Sequence, residues 1–429
     1  MRKIICKLSD TDTYSKAGFA DVFLNNPRFF KNTLWNKRKK QLQTVPHFFQ
    51  DEALDLYYIS LIVFYADCTE KRSSYPDNWT RSFLIDMPVL KKTAWDANKS
   101  VLESALNFLT GDHWSFSFRE RPYLTEKEAK FKQNLWHFRK SRKRQDTNVL
   151  CMLSGGLDSF IGAINFLKDG EQPLFIGNYN GGKGVSVYQN KVIDSLSSHF
   201  HYGRDKFFQF YASPAGSKEN TTRSRSFMFF FHAILLASGM QHTVKLCIPE
   251  NGFISLNVPL TIHRAGSLST RTTHPYYIGL LQTLLDNLGI QVKMYNPFQF
   301  KTKGEMMIEC KDFDFLKDNL QWTMSCSHPD LGRWKGENAS NHCGVCLPCS
   351  IRRAAIYRAG IADNTIYRDS NYQDAEAALN LRSYRLGVSQ KCNSIFAIQK
   401  NGPIYDRQKD YAALYERGRK ELLDFLKSL

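Results

Sequence analysis

From residue 147 onward, short apolar runs alternate with longer amphipathic stretches. Residues 148–153, 173–177, 206–211, 244–248 and 291–295 are compact, β-branched or aromatic and bounded by turn residues, so they read as buried strands. Between them, 160–168, 185–200, 225–239 and 277–289 carry apolar residues at helical spacing. This alternation predicts an α/β fold with a doubly wound, mainly parallel sheet over 146–360. The first 145 residues read differently. Helical periodicity at 53–66 and 95–109 is mixed with strand-like alternation at 81–89 and in Trp114-Ser-Phe-Ser-Phe, which predicts an N-terminal α+β module for docking or scaffolding. Residues 361–429 read as a helical C-terminal extension, ending in an amphipathic helix over 410–429 that suits packing.

Composition narrows the class. With 429 residues, 42% hydrophobic and 23% charged, the chain is expected to fold into two or three domains rather than stay disordered. The best apolar run, 227–239, is too short for a membrane span and is broken by His232. The N-terminus lacks the apolar core and cleavage site of a secretory signal, so a cytoplasmic, reduced setting is expected. The net charge of +17 favours an anionic partner, whether nucleotide, nucleic acid or acidic protein. Arg139, Lys140, Arg142, Lys143 and Arg144 form a basic stretch. It reads as a solvated linker, with phosphate contact as the sharper alternative; nucleic acid is possible but not favoured.

Ser154-Gly155-Gly156-Leu157-Asp158-Ser159 stands between the first strand of the α/β region and its helix. Ligands bind at the carboxyl ends of strands in open parallel sheets. Two glycines allow a tight turn and close approach to an anion, and N–H groups at the helix start attract phosphate. Asp158 would repel phosphate alone and is expected to hold Mg²⁺ or orient the loop. The bland alternative is a Gly-Gly turn with an Asp cap. The sequence is not the Gly-x4-Gly-Lys-Ser/Thr loop. Further on, Cys326 and the run Cys343-Gly-Val-Cys346-Leu-Pro-Cys349 supply four thiolates at a spacing that suits closed tetrahedral zinc. An iron–sulfur cluster or redox thiols remain open alternatives. The remaining cysteines, among them Cys151 and Cys247, are scattered and read as buried apolar residues.

The hexapeptide is the signature of the PP-loop, or N-type ATP pyrophosphatase, superfamily. These enzymes split ATP between the α- and β-phosphates and activate an acid or carbonyl group as an adenylate for attack by an amine or sulfur nucleophile. The combination of motifs resembles 7-cyano-7-deazaguanine synthase. The loop is followed by Lys301-Thr-Lys303-Gly-Glu305, by Thr323-Met-Ser325-Cys326 and by the cysteine run leading into the predicted helix from Ser350, all in that family's order over about 149–360. The resemblance implies a PP-loop fold of the HUP type, ATP, Mg²⁺ and Zn²⁺ as ligands, and a 7-deazapurine acid substrate condensed with ammonia. It implies ATP binding by Ser154, Gly155, Gly156, Leu157, Asp158, Ser159 and Tyr179. It also implies catalytic charge neutralisation by Lys303 and Arg225 together with Asp158, and zinc binding by Cys326, Cys343, Cys346 and Cys349. For Lys303 a surface lysine at a helix start is the alternative reading, and Arg223 is an equal candidate to Arg225.

Several segments depart from that family. Its substrate-side segment is replaced by Pro249-Glu250-Asn251-Gly252 and by a donor-rich stretch from Arg264 to His274. Its loop after the second strand is lengthened to Asn178-Tyr179-Asn180-Gly181-Gly182-Lys183-Gly184, and Ser226 stands where it has Asn. With the added N-terminal residues, the chain resembles the enlarged relatives encoded in bacterial anti-phage defence operons. The expected activity is therefore an ATP-dependent adenylating ligase acting on a 7-carboxy-7-deazaguanine-like acid. The amine is ammonia or an amino group of another protein, docked through the N-terminal module. The alternatives are an RNA-modifying PP-loop enzyme and a non-catalytic nucleotide-binding component of a defence complex.

Overall fold

A computed structural model describes residues 1–32, 34–35, 40–137, 144–179, 183–260, 271–332 and 336–429. The basic residues Arg139, Lys140, Arg142 and Lys143, the loop residues Asn180, Gly181 and Gly182, and the stretch from Arg264 to Thr270 lie outside the described residues.

The N-terminal part contains β1 (Arg2–Lys7), β2 (Ala20–Phe23), β3 (Phe30–Asn32), α1 (Asp51–Thr69), β4 (Ser82–Val89), α2 (Lys92–Thr110), β5 (His113–Glu120) and α3 (Glu126–His137). Its sheet has the order β2-β1-β4-β5, and all its pairs are parallel. The α+β expectation for this part is thereby corrected. Between β4 and β5 the chain returns through α2, and such a helical crossover brings the next strand back in the same direction. Helix α1 forms where the helical periodicity at 53–66 puts it, and it is buried almost all round because it packs against α6, β8 and β4 together.

The second sheet is built from β6 (Val149–Met152), β7 (Leu174–Tyr179), β8 (Phe207–Pro214), β9 (Val244–Cys247) and β10 (Val292–Tyr295), with β3 on its far edge. Its order is β10-β9-β6-β7-β8-β3, parallel except for the β3–β8 pair. The helices are α4 (Leu157–Lys168), α5 (Lys183–His199), α6 (Arg225–Ser238), α7 (Gly252–Leu256), α8 (Pro275–Asn287), α9 (Lys303–Ile308), α10 (Phe313–Asn319) and α11 (Leu347–Arg358). The C-terminal part adds α12 (Ala375–Ser389), α13 (Ser394–Gln399) and α14 (Gln408–Lys427).

Strand alternation assigns the two faces of this sheet. Leu150, Ile176, Phe208, Phe210 and Leu246 join a core with α1, α6 and α8, while Cys151, Phe175, Phe207 and Cys247 join one with α4, α5 and α9. Period-two burial on both faces is the mark of a doubly wound sheet. The first core also takes in Ile4, Ile85 and Phe116 of the N-terminal sheet, so one apolar cluster runs through both sheets. A polar link joins them as well. Asp67 of α1, with a fully buried side chain, accepts the backbone N–H groups of Arg223 and Ser224 (2.8 Å each) and the Ser224 hydroxyl (2.7 Å), fixing the entry to α6. No helix of the described residues is long and apolar enough to cross a membrane.

Candidate functional site

The chain runs β6, β7, β8 to one side, then returns to place β9 and β10 on the other side of β6. The reversal opens a crevice at the carboxyl ends of β6 and β9, where such sheets take ligands. The hexapeptide lies there. Gly155 has a left-handed φ of +83°, and a Cβ on it would stand 2.9 Å from the backbone N and Cα of Gln189 on α5. Its carbonyl accepts the Met324 N–H (2.9 Å). Ser154 and Ser159 close the turn: their hydroxyls lie 3.1 Å apart, and Ser159 donates to the Gly156 carbonyl (2.9 Å). Helix α4 starts at Leu157 with no side-chain cap among the described residues, so its first N–H groups stand toward the crevice as an anion would need. Gln189 was missed in the sequence. Its buried amide donates to the Leu153 carbonyl (2.7 Å) and accepts from Gln209 (2.9 Å), which docks α5 against the loop. Changing Gly155 to Ala adds a strained φ, worth about 1–2 kcal/mol, to a backbone clash. The expected result is a lowered Tm in a thermal melt.

Asp158 is the centre of the crevice. One carboxylate oxygen accepts the backbone N–H (3.1 Å) and side-chain amide (2.8 Å) of Asn251, and the other is ion-paired with the Lys303 ammonium. Lys303 is 5% exposed, so it is not a surface lysine. Burial opposes the charge on Asp158, but the Lys303 ammonium and hydrogen bonds from Glu250, Lys303 and Asn251 outweigh it and hold the carboxyl below its usual range. Glu250 moves the opposite way: burial, then the negative charge of Asp158, push its carboxyl well above the usual range. Three separate chain segments thus supply an acid that stays charged, an acid that holds its proton longer, and a cation.

Local structure explains the placement. Asn251 caps α7 by accepting the Ile254 N–H (3.0 Å), which leaves its amide N–H free to donate to Asp158. Lys303 opens α9 behind a capping box of Thr302 and Glu305. The C-terminal helix α14 fastens that box: Glu421 accepts the Thr302 hydroxyl (2.5 Å) and the Gly304 N–H (3.0 Å), while Arg358 pairs with Glu421 (2.8 Å).

The other sequence candidates separate. Tyr179 ends β7 with its ring 5.2 Å from Tyr211. Arg225 is exposed at the start of α6, its guanidinium 5.8 Å over Phe229. Arg223 stacks over Trp79 (4.5 Å) and donates to the Thr110 carbonyl (3.2 Å). Among the described residues, no hydrogen bond or ion pair joins either arginine to Asp158. Cys151 and Cys247 prove to be register partners on β6 and β9, both fully buried beneath the crevice.

The four predicted cysteines converge. The Sγ atoms of Cys326, Cys343, Cys346 and Cys349 lie within 4.8 Å of one another, with Cys326–Cys346 at 4.0 Å and Cys343–Cys349 at 3.9 Å. Zinc bonded at about 2.3 Å by tetrahedral thiolates requires S···S separations of about 3.8 Å, so this set fits it. Backbone N–H groups of His328, Cys343 and Cys346 point at the sulfurs (3.3 Å each), as stabilised thiolates need. The cluster reaches the glycine loop through Thr323 and Met324. The buried Arg352 of α11 donates to the Thr323 hydroxyl (2.6 Å) and the Leu320 carbonyl (2.7 Å), and His342 lies 3.0 Å from the Thr323 carbonyl.

The parallel sheets, the glycine loop at the switch point and the four-cysteine cluster, compatible with zinc, define a mixed α/β protein. Part of the chain is similar to 7-cyano-7-deazaguanine synthases of Brucella ovis, Brucella canis and Brucella suis, at 29% identity over 119 residues in each case. The aligned region is 27% of this chain and 46% of each relative, so the chain spans about half the length of the curated relatives it matches. No protein-family model matches the chain, and no solved structure matches it.

Proposed function

We propose that this protein is an ATP-dependent adenylating ligase of the 7-cyano-7-deazaguanine synthase kind. It activates a 7-carboxy-7-deazaguanine-like acid for attack by an amine, either ammonia or an amino group on a protein, and releases AMP and pyrophosphate. The observation that carries this reading is the meeting of Asp158, Lys303 and the Glu250–Asn251 pair at the switch-point crevice, directly beside the uncapped start of α4.

In this reading the N–H groups of Gly156, Leu157 and Asp158 and the hydroxyls of Ser154 and Ser159 receive phosphate oxygens. Asp158 would hold Mg²⁺, which when bound would supply charge neutralisation at the phosphates. Lys303 neutralises the charge that develops on the phosphates, and its burial strengthens that effect. Tyr179 borders the nucleotide from the end of β7. Arg225 lies over Phe229 at the start of α6, so Lys303 is the cation assigned to the chemistry. Zinc at the four cysteines is structural: all four positions are thiolates, which leaves no place for a substrate. Cytoplasmic placement and service in a bacterial antiviral system, with a partner docked on the N-terminal part, belong to the same proposal and rest on the sequence resemblance.

The test is AMP release from ATP by the full-length chain with 7-carboxy-7-deazaguanine, with and without ammonium and with candidate partner proteins followed by intact mass. AMP release that needs the acid is the expected result. Release that ignores the acid but responds to RNA would replace this reading by an RNA-modifying one.

A further inference from the structure

A cavity of about 650 Å³ lies on the outer flank of the second sheet, between α8, the edge strand β10 and the 403–411 segment that leads into α14. Its size is that of a small-molecule site. The hexapeptide, Lys303 and the four cysteines are not among its lining residues.

Five aromatic side chains stand in a mixed lining whose charged residues are Asp406 and Arg407. Tyr276 meets Tyr405 edge-on at 6.0 Å, and Phe300 meets Tyr411 at 4.7 Å with the rings tilted by 44°. The Arg407 guanidinium sits 3.8 Å above the Phe300 ring and is ion-paired only at the surface, with Asp410 (2.7 Å). Arg407 also holds a left-handed backbone, φ 54°, which costs energy for a residue with a side chain. Strain of this kind recurs where a side chain is aimed at a ligand. Tyr405 is 74% exposed at the same rim, so its ring is open to a ligand.

The back wall of the cavity faces the reaction centre. Ser255, which lines it, donates to the Asn251 carbonyl (3.1 Å). Asn296, which also lines it, donates to the Glu250 carbonyl (2.7 Å). The strand end that presents Glu250 and Asn251 to Asp158 therefore forms the reverse side of this cavity.

We propose that the cavity is a second ligand site, separate from the phosphate-binding loop, for a flat heteroaromatic anion. The ring stacks among Tyr276, Tyr405 and Phe300, where aromatic faces favour any planar π-system. Arg407 pairs with the negative charge beside the ring. Two sources share this chemistry: a heteroaromatic carboxylic acid and a nucleoside monophosphate. The first would make the cavity the recognition pocket of the proposed acid substrate and so rests on that reading. The second stands without it.

The test uses the full chain without Mg²⁺ or ATP, titrated by calorimetry with 7-carboxy-7-deazaguanine and, separately, with AMP. Tyr405→Ala removes an exposed ring, and Arg407→Gly suits the left-handed backbone, so both variants are expected to fold. Each should weaken one of the two ligands by about tenfold or more, as loss of stacking or of a charge partner does. Loss for the acid alone identifies the pocket as the acid's, and loss for AMP alone as a nucleotide's. The proposal is overturned if neither ligand binds, or if both bind equally well to both variants. Acid-dependent AMP release by the native chain is scored separately, so failure of the cavity does not count against the ligase, nor the reverse.

Discussion

Replacing Lys303 by Met should cost the protein about 3–5 kcal/mol of stability, because it leaves the Asp158 carboxylate buried without its cation. Asp158→Asn should cost a comparable amount, since it strands the ammonium instead. Both groups are nearly closed to solvent, at 5% and 7% side-chain exposure, so water offers little relief. The double variant should recover much of that loss, because a neutral pair needs no compensation. Catalysis should not recover. Each single variant and the double variant are expected to lose AMP formation by roughly 10²–10³-fold or more, the scale of removing a positioned electrostatic group. Urea denaturation and AMP release, measured on the same four proteins, separate the two effects. If the double variant regained turnover along with stability, the pair would be a structural ion pair and the proposed chemistry would lose its centre.

The second large effect belongs to the thiolates. Structural zinc in small domains contributes about 10–16 kcal/mol of apparent folding energy near neutral pH. Stripping the metal with a strong chelator, or changing Cys343 to Ser, is therefore expected to lower Tm by tens of degrees or to unfold the 320–349 region outright. The consequence should reach the glycine loop, because His342 beside the cluster lies against the Thr323 carbonyl, and the next residue, Met324, donates to the Gly155 carbonyl. AMP release should fall with metal content and return on adding Zn²⁺. Metal analysis by mass spectrometry decides between zinc and iron, and visible absorbance would betray an iron–sulfur cluster. A metal-free chain with unchanged melting and turnover would show that the four sulfurs only pack.

Much of the fold was readable because buried parallel strands are short, apolar and regularly spaced. The strands at 149–152, 174–179, 207–214, 244–247 and 292–295 fall where the pattern puts them. The hexapeptide and the cysteine run are local in sequence, so spacing alone displays them. What spacing could not display was convergence. Glu250 and Asn251 stand about ninety residues after Asp158, and only the pairing of β6 with β9 brings them together. The same pairing sets Cys247 against Cys151, which looked solitary. Lys303 was ambiguous because a lysine at a helix start is usually solvated; here Glu421, more than a hundred residues later, fastens that helix start and buries it. The N-terminal sheet was misjudged for another reason. Strands β2 and β3 are too short to show a period, and β1 is a brief apolar run flanked by Arg2, Lys3 and Lys7, so only the later, longer strands were visible and their direction was not.

The three-residue strand β3 has a consequence out of proportion to its length. It lies antiparallel along residues 212–214 of β8, covering one end of an edge that would otherwise offer open hydrogen-bonding groups to another chain. A protease nick between residues 145 and 146 should therefore separate nothing: the two fragments would stay clasped and travel as one particle in gel filtration. A gene shortened at the same point would instead release a back half with a bare sheet margin, prone to clump, so the front half behaves less as an accessory than as a permanent clamp.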